Sequence, residues 1–418
     1  MTAEAPAAGR SATRELLAAF DALESRSFRY LWLNSFLFFI ARGMQLLAIS
    51  WLVLDLTDSP SLVGVALFAQ GIPLALLSLP AGIWADRLDR RSILLAGHTL
   101  SVLLTAVLAA LVLADAIAVW SIILLAFLLG SSMAIGQPSR QALVPSLVPG
   151  ERLMNAIVLS NMVQNLSFVI GPAVAGGLIA LAGFGGAFVA QVVVLAIGLP
   201  FLLALRAPAV QRTEERRSAL TELREGLAHI IESPFIRSLF IVTAFSGIFF
   251  VGNFQALLPV FARDILDSGS VGLGFMNAAF GLGMLAGSLF IASRGNLERK
   301  GEALLRSLII GGVIFLAFSA SRWYPLSLVL LLAWGFGAAF FMNLTITLIQ
   351  SHTPDRLMGR VMSVQALAFF GVSPIGNVEA GLLAEVLGAP AAAAIGAVAV
   401  GVMAAAMFLW QPNLREAT

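Results

Sequence analysis

Long apolar runs alternate with short polar segments along the whole chain. Runs of spanning length cover residues 30–54, 62–85, 93–113, 119–137, 155–182 and 187–205, then 236–261, 271–292, 303–320, 324–348, 361–386 and 391–410. Each is close to the roughly 20 residues a helix needs to cross hydrocarbon, and none keeps the strict alternation of a barrel strand. The pattern predicts an all-α membrane protein with 12 transmembrane helices. Residues 206–235 break the pattern with Arg212, Glu214, Glu215, Arg216, Arg217, Glu222, Arg224 and Glu225, and read as a linker holding one amphipathic helix. The chain then divides into a polar tail (1–29), a six-helix half (30–205), the linker (206–235), a second six-helix half (236–410) and a short tail (411–418).

The halves repeat. Glu151-Arg152-Leu153-Met154 follows the fourth span and Asp355-Arg356-Leu357-Met358 the tenth, an offset of 204 residues. Pro172 and Pro374 follow in step, and Gly71 matches Gly281 at a similar offset. Both halves begin on the same side, so the repeats are parallel and related by an axis along the membrane normal. Such halves place a binding site between them near mid-membrane.

Composition narrows the class. Apolar residues make up 59% of the chain and charged residues 11%, against about 25% charged in a soluble domain. A soluble enzyme, a secreted scaffold, a disordered chain and a nucleic-acid binder are all excluded. Of 25 Lys and Arg, all but Arg42, Arg263 and Arg322 fall in or beside segments on the side of the N-terminus. Basic residues collect on the cytoplasmic side, so both termini are expected there, with the protein multi-pass in a bacterial inner membrane. Six of the seven Trp fall near span ends, as an interfacial belt requires, and Trp334 is the exception. There is no cysteine, and His98, His229 and His352 are scattered. No metal cluster, nucleotide-binding loop or hydrolytic triad can be assembled, so no cofactor is expected and the chain does not read as an enzyme.

The loop after the second span reads Gly82-Ile83-Trp84-Ala85-Asp86-Arg87-Leu88-Asp89-Arg90-Arg91. It resembles the signature loop of the major facilitator superfamily, with Asp89 where the general pattern has Gly. The form A-D-R-x-D-R-R, together with 137–145, 152–156 and 353–361, is similar to the drug:proton antiporter branch that includes macrolide-efflux and enterobactin-exporter proteins. The resemblance covers nearly the whole chain. It implies the major facilitator fold and export. It also implies that Asp86 latches the cytoplasmic side against the start of the eleventh span, with Gly82, Arg87, Arg90 and Arg91 forming the rest of a gating loop. Gly171, Pro172, Gly176 and Gly177 resemble the glycine-proline helix-packing motif of antiporters, which would seal the two halves against leak.

Charges inside spans are costly, so each marks a cavity or a partner. Arg42 lies in the first span and shares a helix face with Asn34 and Gln45. Glu379 lies in the eleventh span, two residues after Asn377. Proton coupling needs a buried carboxyl, and Glu379 is the candidate. Asn161, Asn165 and Asn343 are candidates for the lining of a modestly polar seam rich in Phe and Met. The expected activity is proton-coupled efflux of a small amphipathic compound, drug-like or siderophore, by alternating access. Lysophospholipid flipping and solute uptake on the same fold are the alternatives. The expected partners are the substrate, protons and the lipid bilayer, without nucleic acid, and a monomer suffices.

Overall fold

A computed structural model describes residues 20–207, 219–294 and 298–417. Among these, 11 helices are long and apolar enough to cross a membrane. The first four are α1 (Arg26–Thr57), α2 (Pro60–Arg87), α3 (Arg90–Leu113) and α4 (Val119–Leu147). The next, α5 (Leu153–Ala204), has 52 residues. A straight helix of that length would run about 78 Å, against roughly 30 Å of hydrocarbon. It turns back at Gly183, where φ is 66°, a left-handed conformation that glycine adopts without a Cβ clash. Two crossings result, the predicted fifth and sixth spans. The remainder are a short α6 (Ala219–Glu232), then α7 (Pro234–Ile265), α8 (Gly269–Arg294), α9 (Lys300–Ala320), α10 (Tyr324–Ser351), α11 (Asp355–Leu387) and α12 (Ala389–Trp410). Large apolar side chains such as Leu181, Val386 and Trp410 are exposed on the outside of the bundle, which suits lipid rather than water.

The first and last described residues, 20 and 417, lie on one face of the bundle (the terminal face), and the turns 57–60 and 387–389 lie on the opposite one (the far face). Within the predicted linker, α6 packs on the terminal end of α11: Glu225 pairs with Arg360, and Gly226 sits against the Arg360 backbone.

The two halves meet along two seams. In one, α2 packs on α11, with Gly64 against the Asn377 backbone, Gly71 against Pro374, and Gly381 against Pro60 and Ser61. In the other, α5 packs on α8, with Gly176 against Ser270 and Gly281 against Val169. The repeated glycines Gly71 and Gly281 thus hold matching places, one in each seam. Both seams close over the far half of the bundle. Nearer the terminal face the same helices part, and Asn161 and Asn165 on α5, Asn343 and Thr347 on α10, and Ser363 and Phe370 on α11 are exposed.

Candidate functional site

Just below the closed seams lies a cavity of about 350 Å³ between the halves. Gly43, Leu46, Leu47 and Ser50 of α1 and Asn165, Phe168 and Pro172 of α5 line one side. The other side comes from α7 to α11. The wall carries eight aromatic residues: Phe168, Phe250, Phe254, Phe280, Trp334, Phe341, Phe369 and Phe370. Trp334, only 4% exposed, is the hub. Its ring lies 5.4 Å from those of Phe250 and Phe254 and 4.9 Å from Phe280, the spacing of attractive aromatic pairs. Gln164, Gln255, Asn277, Ser246 and Ser307 add neutral polar groups, and among the described residues no ionisable side chain lines the cavity. A largely apolar wall with a few fixed polar groups is the usual make-up of a small-molecule pocket.

Backbone irregularity shapes the wall. Gly247–Gly252 of α7 and Leu367–Gly371 of α11 are π-helical, with the wider turn that recurs at functional sites. The two segments touch, since Gly247 sits against the Phe369 carbonyl. The wider turns carry Phe250 from α7, and Phe369 and Phe370 from α11, onto the wall.

The candidate polar residues scatter around this cavity. Asn165 lines it. Asn161 and Asn343 lie nearer the terminal face and are exposed, and Asn343 bonds Ser288 and the Ala339 carbonyl. Asn377 is buried behind the wall and donates to Gln255 Oε1 at 3.3 Å. Arg42 is half-buried, with no ion pair among the described residues, and neither it nor Gln45 lines the cavity. Glu379 is half-buried on the opposite side of α11 from Asn377. Among the candidate substrate and coupling residues, only Asn165 is on the wall.

Asn34 belongs to a separate buried network that the sequence reading did not assemble. Its Oδ1 accepts from Arg140 Nη1 at 3.0 Å, and its Nδ2 donates to the Gly198 carbonyl and to His98 Nδ1. His98 Nε2 faces the Leu195 carbonyl at 2.8 Å, a pattern that suits neutral imidazole with its hydrogen on Nε2. Arg140, 5% exposed, also bonds Ser35 and lies 4.7 Å over the Phe38 ring. This network ties α1, α3, α4 and the second crossing of α5 together.

In the signature loop, Asp89 caps α3, accepting from the Ser92 amide at 2.9 Å and its hydroxyl at 2.6 Å. The hydrogen bond from the Ser92 side chain, with smaller contributions from the backbone, holds the Asp89 carboxyl below its usual range. The departure from Gly at this position is therefore a helix cap. Arg90 donates to the Ala85 and Ala142 carbonyls, and Arg91 to those of Leu202 and Leu203. The carbonyls of Ala85, Leu202 and Leu203 lie at the C-terminal ends of α2 and α5, where a cation complements the helix dipole. Gly82 faces open space. The side chains of Asp86 and Arg87 lie outside the described residues. In the packing motif, a Cβ on Gly171 would lie 2.8 Å from Gly43 Cα, and one on Gly176 2.3 Å from the Ser270 carbonyl, whereas Gly177 has open space around it. Pro172 lies against Gly43 and Gly274.

On the far face, α7 and α11 grip the turn between α1 and α2. Arg263 donates to the Leu54 carbonyl at 2.6 Å and pairs with Asp58 at 2.9 Å. Glu385 accepts from Ser59 Oγ at 2.9 Å and the Ser61 amide at 3.2 Å.

The comparisons with known proteins agree with this architecture. Multidrug efflux pump Tap of Mycolicibacterium fortuitum is 28% identical over 389 residues, spanning 90% of this chain and 93% of that protein. Macrolide efflux protein A of Streptococcus pyogenes is 23% identical over 375 residues, 86% and 90% of the two chains. Enterobactin exporter EntS of Shigella boydii serotype 4 is 25% identical over 339 residues, 80% of each. The nucleoside transporter NupG shares the fold with a TM-score of 0.75 at 15% identity, covering 91% of this chain and 99% of that one. These relatives are membrane transporters, not enzymes. The transmembrane secretion effector family model matches residues 17–418, and the chain belongs to that family within the major facilitator superfamily.

Proposed function

We propose that this protein exports bulky amphipathic compounds without net negative charge, from the cytoplasmic side outward, in exchange for protons. The observation that carries the reading is the central cavity: it lies between the halves, is walled by aromatic rings, and among the described residues has no ionisable side chain on its wall. An apolar body with a few polar groups is favoured there by area burial and ring contacts, and a cation is tolerated by the ring faces. An anion finds no counter-charge. The relatives' names (macrolide efflux protein, multidrug efflux pump, enterobactin exporter) support outward transport.

The excess of basic residues on the terminal side supports a cytoplasmic terminal face. The open terminal side is then the cytoplasmic entrance, and the closed seams lie toward the outside. Asp86 would engage α11 when the cytoplasmic side closes. Glu379 carries the exchanged proton and acts on the cavity through α11, whose π-helical segment forms part of the wall. Everted membrane vesicles test this reading. After energisation, candidate compounds should dissipate the pH gradient. Phe254→Ala should abolish the response by opening the aromatic wall, and Glu379→Gln should abolish it with the wall intact. Gradient dissipation that persists unchanged in Glu379→Gln would refute the coupling role.

A further inference from the structure

Two of the amides that line the central cavity are held in one orientation. Asn277 on α8 donates from Nδ2 to the Leu273 carbonyl at 2.9 Å. Only the NH2 end of an amide can do so, and its Oδ1 is left as an acceptor for the cavity. Gln255 on α7 is held from behind. Its Oε1 accepts from Asn377 Nδ2 at 3.3 Å, so its own Nε2 is left as a donor for the cavity. Turning both amides over would seal the Asn377 NH2 without an acceptor. The observed arrangement seals Asn377 Oδ1 instead, the milder loss, since orphaned N–H groups are the rarer in folded proteins. Gln255 precedes the far end of α7 at Ile265 by ten residues, and Asn277 follows the start of α8 at Gly269 by eight. At about 1.5 Å per residue the two stand within about 3 Å of the same depth. Beside them the rings of Phe254 and Phe280 meet at 4.5 Å. One fixed donor and one fixed acceptor thus flank the same ring pair. Gln164 and Asn165, on the α5 side of the cavity, have no hydrogen-bond partner among the described residues and turn to suit a ligand.

We propose that the fixed amides of Gln255 and Asn277 set the specificity of the cavity, which selects aromatic or apolar compounds carrying a hydrogen-bond acceptor, such as a carbonyl, for Gln255 and a donor, such as N–H or O–H, for Asn277. Gln255 and Asn277 touch the ligand. Asn377 is a positioning residue that acts through Gln255. A compound that fills the cavity without an acceptor strips water from the Gln255 NH2 and leaves it unpaired, and that loss is the larger part of the discrimination. The same holds for Asn277 Oδ1 and a compound without a donor. The inference rests on the reading of the cavity as the substrate site, and adds to it the polar pattern of the substrate.

The test measures binding to the purified full-length protein in lipid nanodiscs, with no ion gradient. The probes are tetraphenylphosphonium and four derivatives that differ in one para substituent. Acetyl, an acceptor, is matched with isopropyl of the same shape, and amino, a donor, with methyl. Gln255→Leu should weaken the acetyl ion about fivefold and change the isopropyl ion by less than about twofold. Asn277→Leu should weaken the amino ion by a similar factor and spare the methyl ion. Asn377→Leu leaves the Gln255 amide free to turn. It should narrow the preference for acetyl over isopropyl while isopropyl binding holds, a split that general loosening of the cavity would not produce. Unchanged isopropyl and methyl binding also shows that the variants are folded. Equal loss of the acetyl and isopropyl ions in Gln255→Leu, or no loss of either, would overturn the proposal and leave the cavity reading standing. Failure of tetraphenylphosphonium and all four derivatives to bind the wild type would overturn both.

Discussion

Replacing Arg263 with Ala should open the far face. Arg263 comes from the second half and grips the C-terminal end of α1 in the first, through the Leu54 carbonyl and Asp58. Glu385 grips the N-terminal end of α2. Each charge has the sign its helix terminus favours. Asp58 is 85% exposed, so that ion pair contributes only about 0–1 kcal/mol. The charged hydrogen bond to Leu54 contributes about 1.5–3 kcal/mol. Loss of Arg263 should therefore weaken the closed far face by about 2 kcal/mol, a shift of roughly 30-fold in the open-to-closed ratio. The chain has no cysteine, so a single Ser50→Cys on the cavity wall reports access without background. A membrane-impermeant maleimide supplied from the far side reaches it only when that side is open. Its labelling rate should rise roughly in proportion to the open population, by more than tenfold in Arg263→Ala. A change of less than twofold would refute the assignment of Arg263 as a clamp.

Other consequences follow from the same contacts. Asp89→Ala removes the cap of α3 and should cost about 1 kcal/mol of stability at neutral pH. Because the folded Asp89 carboxyl lies below its usual range, that contribution is present above the ordinary carboxylate value and is lost as pH falls through the lowered one. Melting curves of the two proteins should differ at pH 7 and converge well below about pH 4. Gly176→Ala should disturb the seam with α8 and lower transport, while Gly177→Ala should be silent in the same vesicle assay. Asp86→Asn should impair transport without lowering the amount of inserted protein, as read by immunoblot of membranes.

The fold was legible because span length and polar interruptions are set by the bilayer and need no knowledge of neighbours. The break within α5 fell in the glycine-rich stretch at 183–186, and the repeat placed Gly71 and Gly281 at equivalent positions that both turned out to lie in seams. The aromatic wall of the cavity was harder to read. Its main residues are Phe and Trp, whose helical spacing looks the same facing lipid, core or cavity. Trp334 carried a signal, since it alone fell away from the interfacial belt, and it proved to be the hub of the wall. Arg42 and Glu379 stood out as charges within spans, but which face of a helix meets the cavity depends on where the other helices pack. Arg140 falls just beyond the predicted fourth span (119–137), yet α4 continues to Leu147 and buries it. The π-helical turns, set by tertiary packing, had no sequence signature.

The most direct test of export through the charge-free cavity uses the purified protein in liposomes with an imposed pH gradient. A lipophilic dye with a permanent positive charge, which ion trapping cannot concentrate, should accumulate on the acidic side against its own gradient when the protein is present. Phe254→Ala and Glu379→Gln should each reduce accumulation to the level of empty liposomes. Equilibration of the dye to equal concentrations on both sides, whatever the direction of the imposed gradient, would contradict proton-coupled export.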